Sequence, residues 1–147
     1  LYVSDWQNII VGHMQHNVRD PNRNKTHGRI FRVTYEGREL SKKISVDGES
    51  IETLLDLLKH PINGVRYRAR VELSEHPSDK VLAATDKWLK QFEPKSKEDA
   101  HHILEGLWVY QRNDTKNEAL LKTLLTSPVE HARISAKTVK QFWDQNK

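Results

Sequence analysis

The chain has 147 residues, with 24 Lys and Arg against 20 Asp and Glu and a formal net charge of +4. This length suits one ordinary domain with or without an extension, and the interspersed charges favour a mixed, solvated surface over a nucleic-acid footprint. The absence of cysteine excludes disulfides, cysteine-ligated zinc and covalent c-type haem in this chain. No apolar run reaches the roughly 20 residues that a membrane-spanning helix needs.

The chain begins with two strand-like segments. Apolar and polar side chains alternate in residues 1–6 and again in residues 28–37, which is the period of a half-buried strand. Two strands alone are marginally stable in water, so we expect this β arm, residues 1–37, to need a partner sheet. The polar, turn-prone residues 38–50 predict a linker to the rest of the chain.

A motif that occurs twice organises residues 51–147. Residues 54–70 and 121–137 align at a constant offset of 67 residues, and the positions that they share are Leu54/Leu121, Leu57/Leu124, Leu58/Leu125, Pro61/Pro128, Arg66/Arg133 and Ala69/Ala136. Half of this offset is about one helical hairpin, so a divergent hairpin is expected between the copies. The pattern predicts a mainly α fold, a HEAT-like α-solenoid of about three hairpins with an N-terminal two-stranded β arm.

Local signals place the helix ends and the core aromatic residues. Glu49 or Ser50 is expected to cap the first helix and Asn63 the second, and Pro128 is expected in the first turn of the last helix. Three tryptophans fall at inward helical positions, which favours core packing over a stacking platform for bases; they are Trp88, Trp108 and Trp143.

The arginines of the helical part admit two interpretations. Arg66 and Arg133 occupy equivalent repeat positions, where an arginine commonly pairs with acidic groups of the neighbouring hairpin, and we prefer this structural role. In the alternative, a basic strip on the concave face binds phosphates, as in HEAT-like DNA glycosylases, which would make the domain a nucleic-acid binder. The strip would consist of Arg66, Arg68, Arg70, Arg112 and Arg133.

The polar loop between the strands holds a candidate metal site. His13, His16, Asp20 and His27 offer imidazole and carboxylate ligands to a first-row metal. The alternative is that these are loop histidines bonded to backbone groups, because their spacing matches no established metal motif.

No known catalytic pattern occurs in the helical part. The sequence contains no Ser/His/Asp set, Walker loop or GxGxxG motif. His101 and His102 are adjacent on a helix, diverge by about 100° and cannot both face one ion. We expect one to line a groove or cap a helix and the other to be solvated.

The N-terminal segment resembles the closing part of a six-bladed propeller of the soluble glucose/sorbosone dehydrogenase type. The resemblance rests on the motifs LYVSDW, GHMQHNVRDPNR and HGRIFR within residues 1–35. It is strongest to the large membrane-bound-dehydrogenase-type proteins of planctomycetes and verrucomicrobia. The motifs VRYRARVELSEHP and HHILEGLWVYQ resemble the HEAT-like module that follows the propeller in those proteins.

The resemblance implies an exported, periplasmic or extracytoplasmic parent protein that oxidises sugars or alcohols, with pyrroloquinoline quinone and calcium as cofactors. It implies a preceding propeller and a cytochrome c domain as partners, and it places His13, His16, Arg19 and Asp20 near substrate or cofactor. The chain lacks the preceding blades and a CxxCH motif. We therefore expect it to be inactive by itself and to act as a non-catalytic scaffold of that parent.

Overall fold

The computed structural model divides the chain into two compact units, Leu1–Lys42 and Lys43–Lys147. The residues that the structure describes are 1–5, 21, 24, 26–39 and 42–145.

The first unit contains a two-stranded antiparallel sheet, as predicted. Strand β1 is Tyr2–Asp5 and strand β2 is Arg29–Arg32, and the register pairs Tyr2 with Arg32 and Asp5 with Arg29. Arg29 supports this register because its Nε lies 2.9 Å from Oδ2 of Asp5. Apolar side chains stay exposed on this ribbon, including Ile30 at 76%, so the two strands bury little surface within their own unit.

The second unit is helical. Its described residues form six helices, which are α1 (Ile51–Leu57), α2 (Asn63–Leu73), α3 (Ser78–Leu89), α4 (Ala100–Arg112), α5 (Glu118–Leu125) and α6 (Glu130–Gln145). Consecutive helices pack as three hairpins, α1–α2, α3–α4 and α5–α6. Between hairpins, α1 packs on α3, while α4 packs on both α5 and α6. The part of the chain that the structure describes is therefore mainly helical, with one small antiparallel sheet.

Two of the helices have side-chain caps. The hydroxyl of Ser50 accepts a hydrogen bond from the backbone N–H of Thr53 at 3.2 Å, which confirms one of the two residues predicted to cap α1. Asn117 caps α5 in the same way, because its side chain accepts from the N–H of Leu120 at 2.9 Å.

The prediction that Asn63 caps α2 is wrong. Asn63 is the first helical residue and Ile62 stands at the cap position without a side-chain bond. The amide oxygen of Asn63 instead lies 3.4 Å from Nη2 of Arg66, one turn further along the helix. Pro128 also falls outside the first turn, because α6 begins at Glu130. Both prolines of the repeat, Pro61 and Pro128, lie in the turns between paired helices.

The helical unit has two apolar clusters. One joins α1, α2 and α3 and includes Trp88, and the other joins α4, α5 and α6 and includes Trp143. Leu89 and Phe92 pack against both. Val46, within the predicted linker, is buried in the first cluster, so the residues just before α1 pack on the helices. No helix in the described ranges is long and apolar enough to cross a bilayer.

The repeat positions behave alike in the first and third hairpins. Ala69 and Ala136 are both fully buried, where a small side chain lets the second helix approach the first. The shared leucines lie in the two clusters or against them. The middle hairpin has no such alanine pattern in sequence, but its Gly106 gives α4 a close approach to Leu89 of α3.

Candidate functional site

A buried carboxylate connects the first two hairpins. Glu105 of α4 has no exposed side-chain surface. Its Oε1 accepts a hydrogen bond from Nε of Arg66 at 3.0 Å, and its Oε2 accepts one from Nη1 of Arg70. Arg66 and Arg70 stand one turn apart on α2, which puts both guanidiniums on the same helix face. One carboxylate therefore holds two arginines of the neighbouring hairpin.

His101 adds a third partner to this cluster. Its Nε2 lies 3.2 Å from Oε1 of Glu105, one turn away on α4, at ion-pair distance but without the alignment of a hydrogen bond. Burial alone would raise the pKa of Glu105, but the contacts with His101 and Arg70 outweigh it, and the pKa lies below its ordinary value of 4.5. Glu105 is therefore ionised at neutral pH although it is buried.

The two arginines of the repeat make the same backbone contact. Nη1 of Arg66 donates to the carbonyl oxygen of His60 at 2.7 Å, and Nη1 of Arg133 donates to that of Ser127 at 2.7 Å. Each bond satisfies a carbonyl in the turn that follows the first helix of its hairpin. The predicted acidic partner is present for Arg66 only, because no described carboxylate lies at ion-pair distance from Arg133.

Aromatic rings surround the ion cluster. The guanidinium of Arg70 lies 5.4 Å from the ring centroid of Trp108, within the range of a cation–π contact. The ring of His101 stacks on that of His131 at 6.1 Å and 19°, which brings α6 to the cluster. Trp108 is only partly buried, so of the three tryptophans predicted in the core it alone keeps a surface for other contacts.

His102 occupies a different environment on the same helix. Its ring lies 5.2 Å from that of Phe92. Burial lowers the pKa of His102 below its ordinary value of 6.5, and the neighbouring His101 lowers it further. Both histidines are half-buried, so the expectation that one of them is solvated is wrong: each packs against an aromatic ring.

A cleft of about 500 Å³ opens between α2 and α4 beside the ion cluster. Its described lining consists of two guanidiniums, an amide, two aromatic rings and a valine, without a carboxylate. The residues are Tyr67, Arg70, Val71, Trp108, Gln111 and Arg112. Tyr67 is 60% exposed. Arg112 is exposed and donates from Nη2 to the hydroxyl of Ser74 at 3.3 Å.

The five arginines of the alternative basic strip do not all line the cleft. Arg66 is bound to Glu105, and Arg133 is bound to a backbone carbonyl. Arg68 donates to the carbonyl of Gly64 on its own helix at 3.3 Å and does not line the cleft. Only Arg70 and Arg112 line the cleft together. Two of the five arginines therefore share this surface.

Most of the predicted metal and substrate-face residues lie outside the described residues; these are His13, His16, Arg19 and Asp20. His27 is described, and its Nδ1 lies 2.9 Å from the hydroxyl of Thr26 and 3.1 Å from Nδ2 of Asn24. This is the local hydrogen bonding of a loop histidine. Among the described residues no group of three His, Asp or Glu could hold a metal ion.

Sequence reasoning missed Glu105 and Tyr67. A signal for Glu105 exists, because it is the one acidic residue among the apolar residues 103–109 of α4. Its partners stand 35 and 39 residues earlier, so only the packing of the hairpins identifies them.

Comparisons with protein-family models, curated proteins and solved structures find no match to this chain.

Proposed function

We propose that the chain is a non-catalytic scaffold and interaction module, a HEAT-like stack of three helical hairpins. The observation that carries this proposal is the Arg66–Glu105 contact together with the repeated arginine-to-carbonyl bond of Arg66 and Arg133. The arginine-to-carbonyl bond recurs within two hairpins, and the Arg66–Glu105 contact joins the first hairpin to the second. Stacked repeats build an extended surface from contacts within and between their units. The cleft between α2 and α4 provides a binding surface of this kind.

We further propose that this module belongs to a larger extracytoplasmic sugar or alcohol dehydrogenase-like protein. The motifs of residues 1–35 support this, because they resemble the last blade of a propeller, and the exposed ribbon of β1 and β2 suits a sheet with missing neighbours. In such a parent, pyrroloquinoline quinone and calcium would be bound by the preceding blades. The helical unit would dock the propeller and an electron-accepting cytochrome c domain.

The coding sequence immediately upstream of Leu1 tests the second part. Successive four-stranded patterns ahead of Leu1, each the size of one propeller blade, would support the proposal. A helical or unrelated upstream sequence would overturn it.

The non-catalytic role is tested in the parent protein with a soluble dye as electron acceptor. Arg112→Gln changes an exposed residue of the cleft and leaves the ion cluster in place. We expect sugar or alcohol oxidation with the dye to be unchanged in this variant. A folded variant that loses dye reduction would show that the helical unit takes part in the oxidation itself.

A further inference from the structure

We propose that the cleft between α2 and α4 binds an acidic peptide segment of a partner protein, with a carboxylate at Arg112 and Arg70 and an apolar side chain between Tyr67 and Trp108. This inference rests on the proposed interaction role and names the chemistry of the partner.

The charges around the cleft favour an anionic ligand. Glu105 is shared between Arg66 and Arg70, so one carboxylate faces two guanidiniums and the cluster keeps a positive charge. Arg112 adds a second positive charge at the cleft, and its bond within the described residues is to a neutral hydroxyl. Because no carboxylate occurs among the described residues that line the cleft, the cleft attracts anions and disfavours cationic ligands.

The walls of the cleft combine apolar and cationic side chains. Tyr67, Val71 and Trp108 offer apolar surface beside the guanidiniums. Tyrosine, tryptophan and arginine are the residues that contribute most to binding energy at protein interfaces. Gln111 can donate to and accept from a peptide backbone. A cleft of about 500 Å³ accommodates a few side chains and not a folded domain.

Two side chains of the cleft, those of Arg70 and Trp108, are pre-organised for binding. Arg70 is held by Glu105 on one side and lies 5.4 Å from the Trp108 ring. Two of the lining side chains are therefore fixed before a ligand arrives, which reduces the conformational entropy lost on binding.

A peptide fits these observations better than a nucleic acid does. Nucleic-acid binding by helical repeats needs several cations along a path that follows the phosphates. Here Arg68 and Arg133 are directed to carbonyls of their own hairpins and lie outside the cleft lining. The cleft is a single short site with two arginines.

The test measures binding by fluorescence anisotropy with three labelled probes. They are a short peptide that alternates Glu with Phe, the same peptide with Lys in place of Glu, and oligo-dT. We expect saturable binding of the Glu peptide, at least about tenfold weaker binding of the Lys peptide, and weak oligo-dT binding that disappears between about 50 and 200 mM salt.

Matched variants locate the binding. Arg112→Gln is expected to weaken binding of the Glu peptide about tenfold, whereas Arg68→Gln, at an exposed arginine off the cleft, should leave it unchanged. Tyr67→Ala should also weaken it, whereas Ile134→Ala, at the equivalent and similarly exposed position of the third hairpin, should not. Circular dichroism of each variant verifies that the helices are intact.

Three results would overturn the inference: no saturable binding of the Glu peptide, equal losses in Arg112→Gln and Arg68→Gln, or tighter binding of oligo-dT than of the peptide. These outcomes do not depend on the identity of the parent protein, which the upstream coding sequence tests separately.

Discussion

Arg66 of α2 and Glu105 of α4 form a buried ion pair between two hairpins, with Nε of Arg66 3.0 Å from Oε1 of Glu105 and side-chain exposures of 14% and 0%. Desolvating both groups is costly, and hydrogen bonds to each must offset that cost. Arg66 also donates to the carbonyls of His60 and Pro61, and Glu105 also accepts from Arg70. The pair is therefore embedded in a network whose members depend on one another.

Removing the carboxylate should destabilise the helical unit strongly. Glu105→Gln leaves two guanidiniums partly buried with a neutral partner, and we expect a loss of about 3–5 kcal/mol in the free energy of unfolding. Urea unfolding followed by circular dichroism measures the loss. Glu75→Gln, at an exposed position just after α2, is the control and should leave the midpoint nearly unchanged. Equal midpoints for the two variants would contradict this account.

The two repeat arginines should differ in their contribution to stability. Arg133→Ala removes a charged hydrogen bond to the Ser127 carbonyl, which contributes about 1.5–3 kcal/mol. Arg66→Ala removes the equivalent bond and also the ion pair with Glu105. We expect the Arg66 variant to lose more stability, by about 1–2 kcal/mol, in the same urea experiment. The idea fails if the two losses are the same.

Stability should fall as pH drops through the ordinary range of histidine titration. Burial, assisted by His101, lowers the pKa of His102 below 6.5 in the folded chain. The unfolded chain then binds the proton more readily, so acidification below about pH 6.5 favours unfolding. Comparing unfolding free energies at about pH 7.5 and about pH 5.5 should show a smaller decrease in His102→Gln than in the unmodified chain.

His27→Gln, in the first unit, is the control for that measurement and should retain the decrease. Glu105 does not confound it, because a carboxyl pKa below 4.5 keeps that group ionised at both pH values. If the free energy of unfolding depends on pH identically in His102→Gln and in the unmodified chain, His102 does not cause the loss of stability.

Two glycines should respond oppositely to the same substitution. A Cβ on Gly106 would lie 2.7 Å from Cδ2 of Leu89 and 3.2 Å from its Cγ, so Gly106→Ala overpacks the α3–α4 contact and should cost about 1–3 kcal/mol. A Cβ on Gly64, in the first turn of α2, would meet nothing within 4 Å. Gly64→Ala should therefore stabilise by about 0.4–1 kcal/mol. Thermal unfolding of both variants measures the two effects. A higher melting temperature for Gly106→Ala would contradict the close approach of α4 to Leu89.

Helix positions were predictable from the sequence because they depend on local signals. The leucine spacing in residues 54–58 and the prolines at 61 and 128 mark helices and turns without knowledge of the fold. The two-stranded arm was equally visible from alternation in residues 28–37. The prediction for Asn63 was wrong because its side chain bonds Arg66. The residue type alone does not show whether this side chain caps the helix or binds Arg66.

The candidate site was not predictable in the same way. Trp108 has the spacing of a core residue, but its partial exposure depends on where α2 lies relative to α4. Glu105 meets Arg66 and Arg70 only after two hairpins have packed. The sequence supplies the residue types at helical spacing, and the packing between hairpins determines which of them form a cleft.

The carboxylate shared by two arginines has a consequence for local opening. Arrays of hairpins ordinarily lose their terminal members first, because each hairpin contacts only its neighbours. Here separation of the first hairpin would leave Glu105 without Arg66 and Arg70, the two arginines that it binds. The amide hydrogens of α2 and α4 should therefore exchange with solvent in one cooperative event, and not in sequence from the N-terminal end of the helical unit.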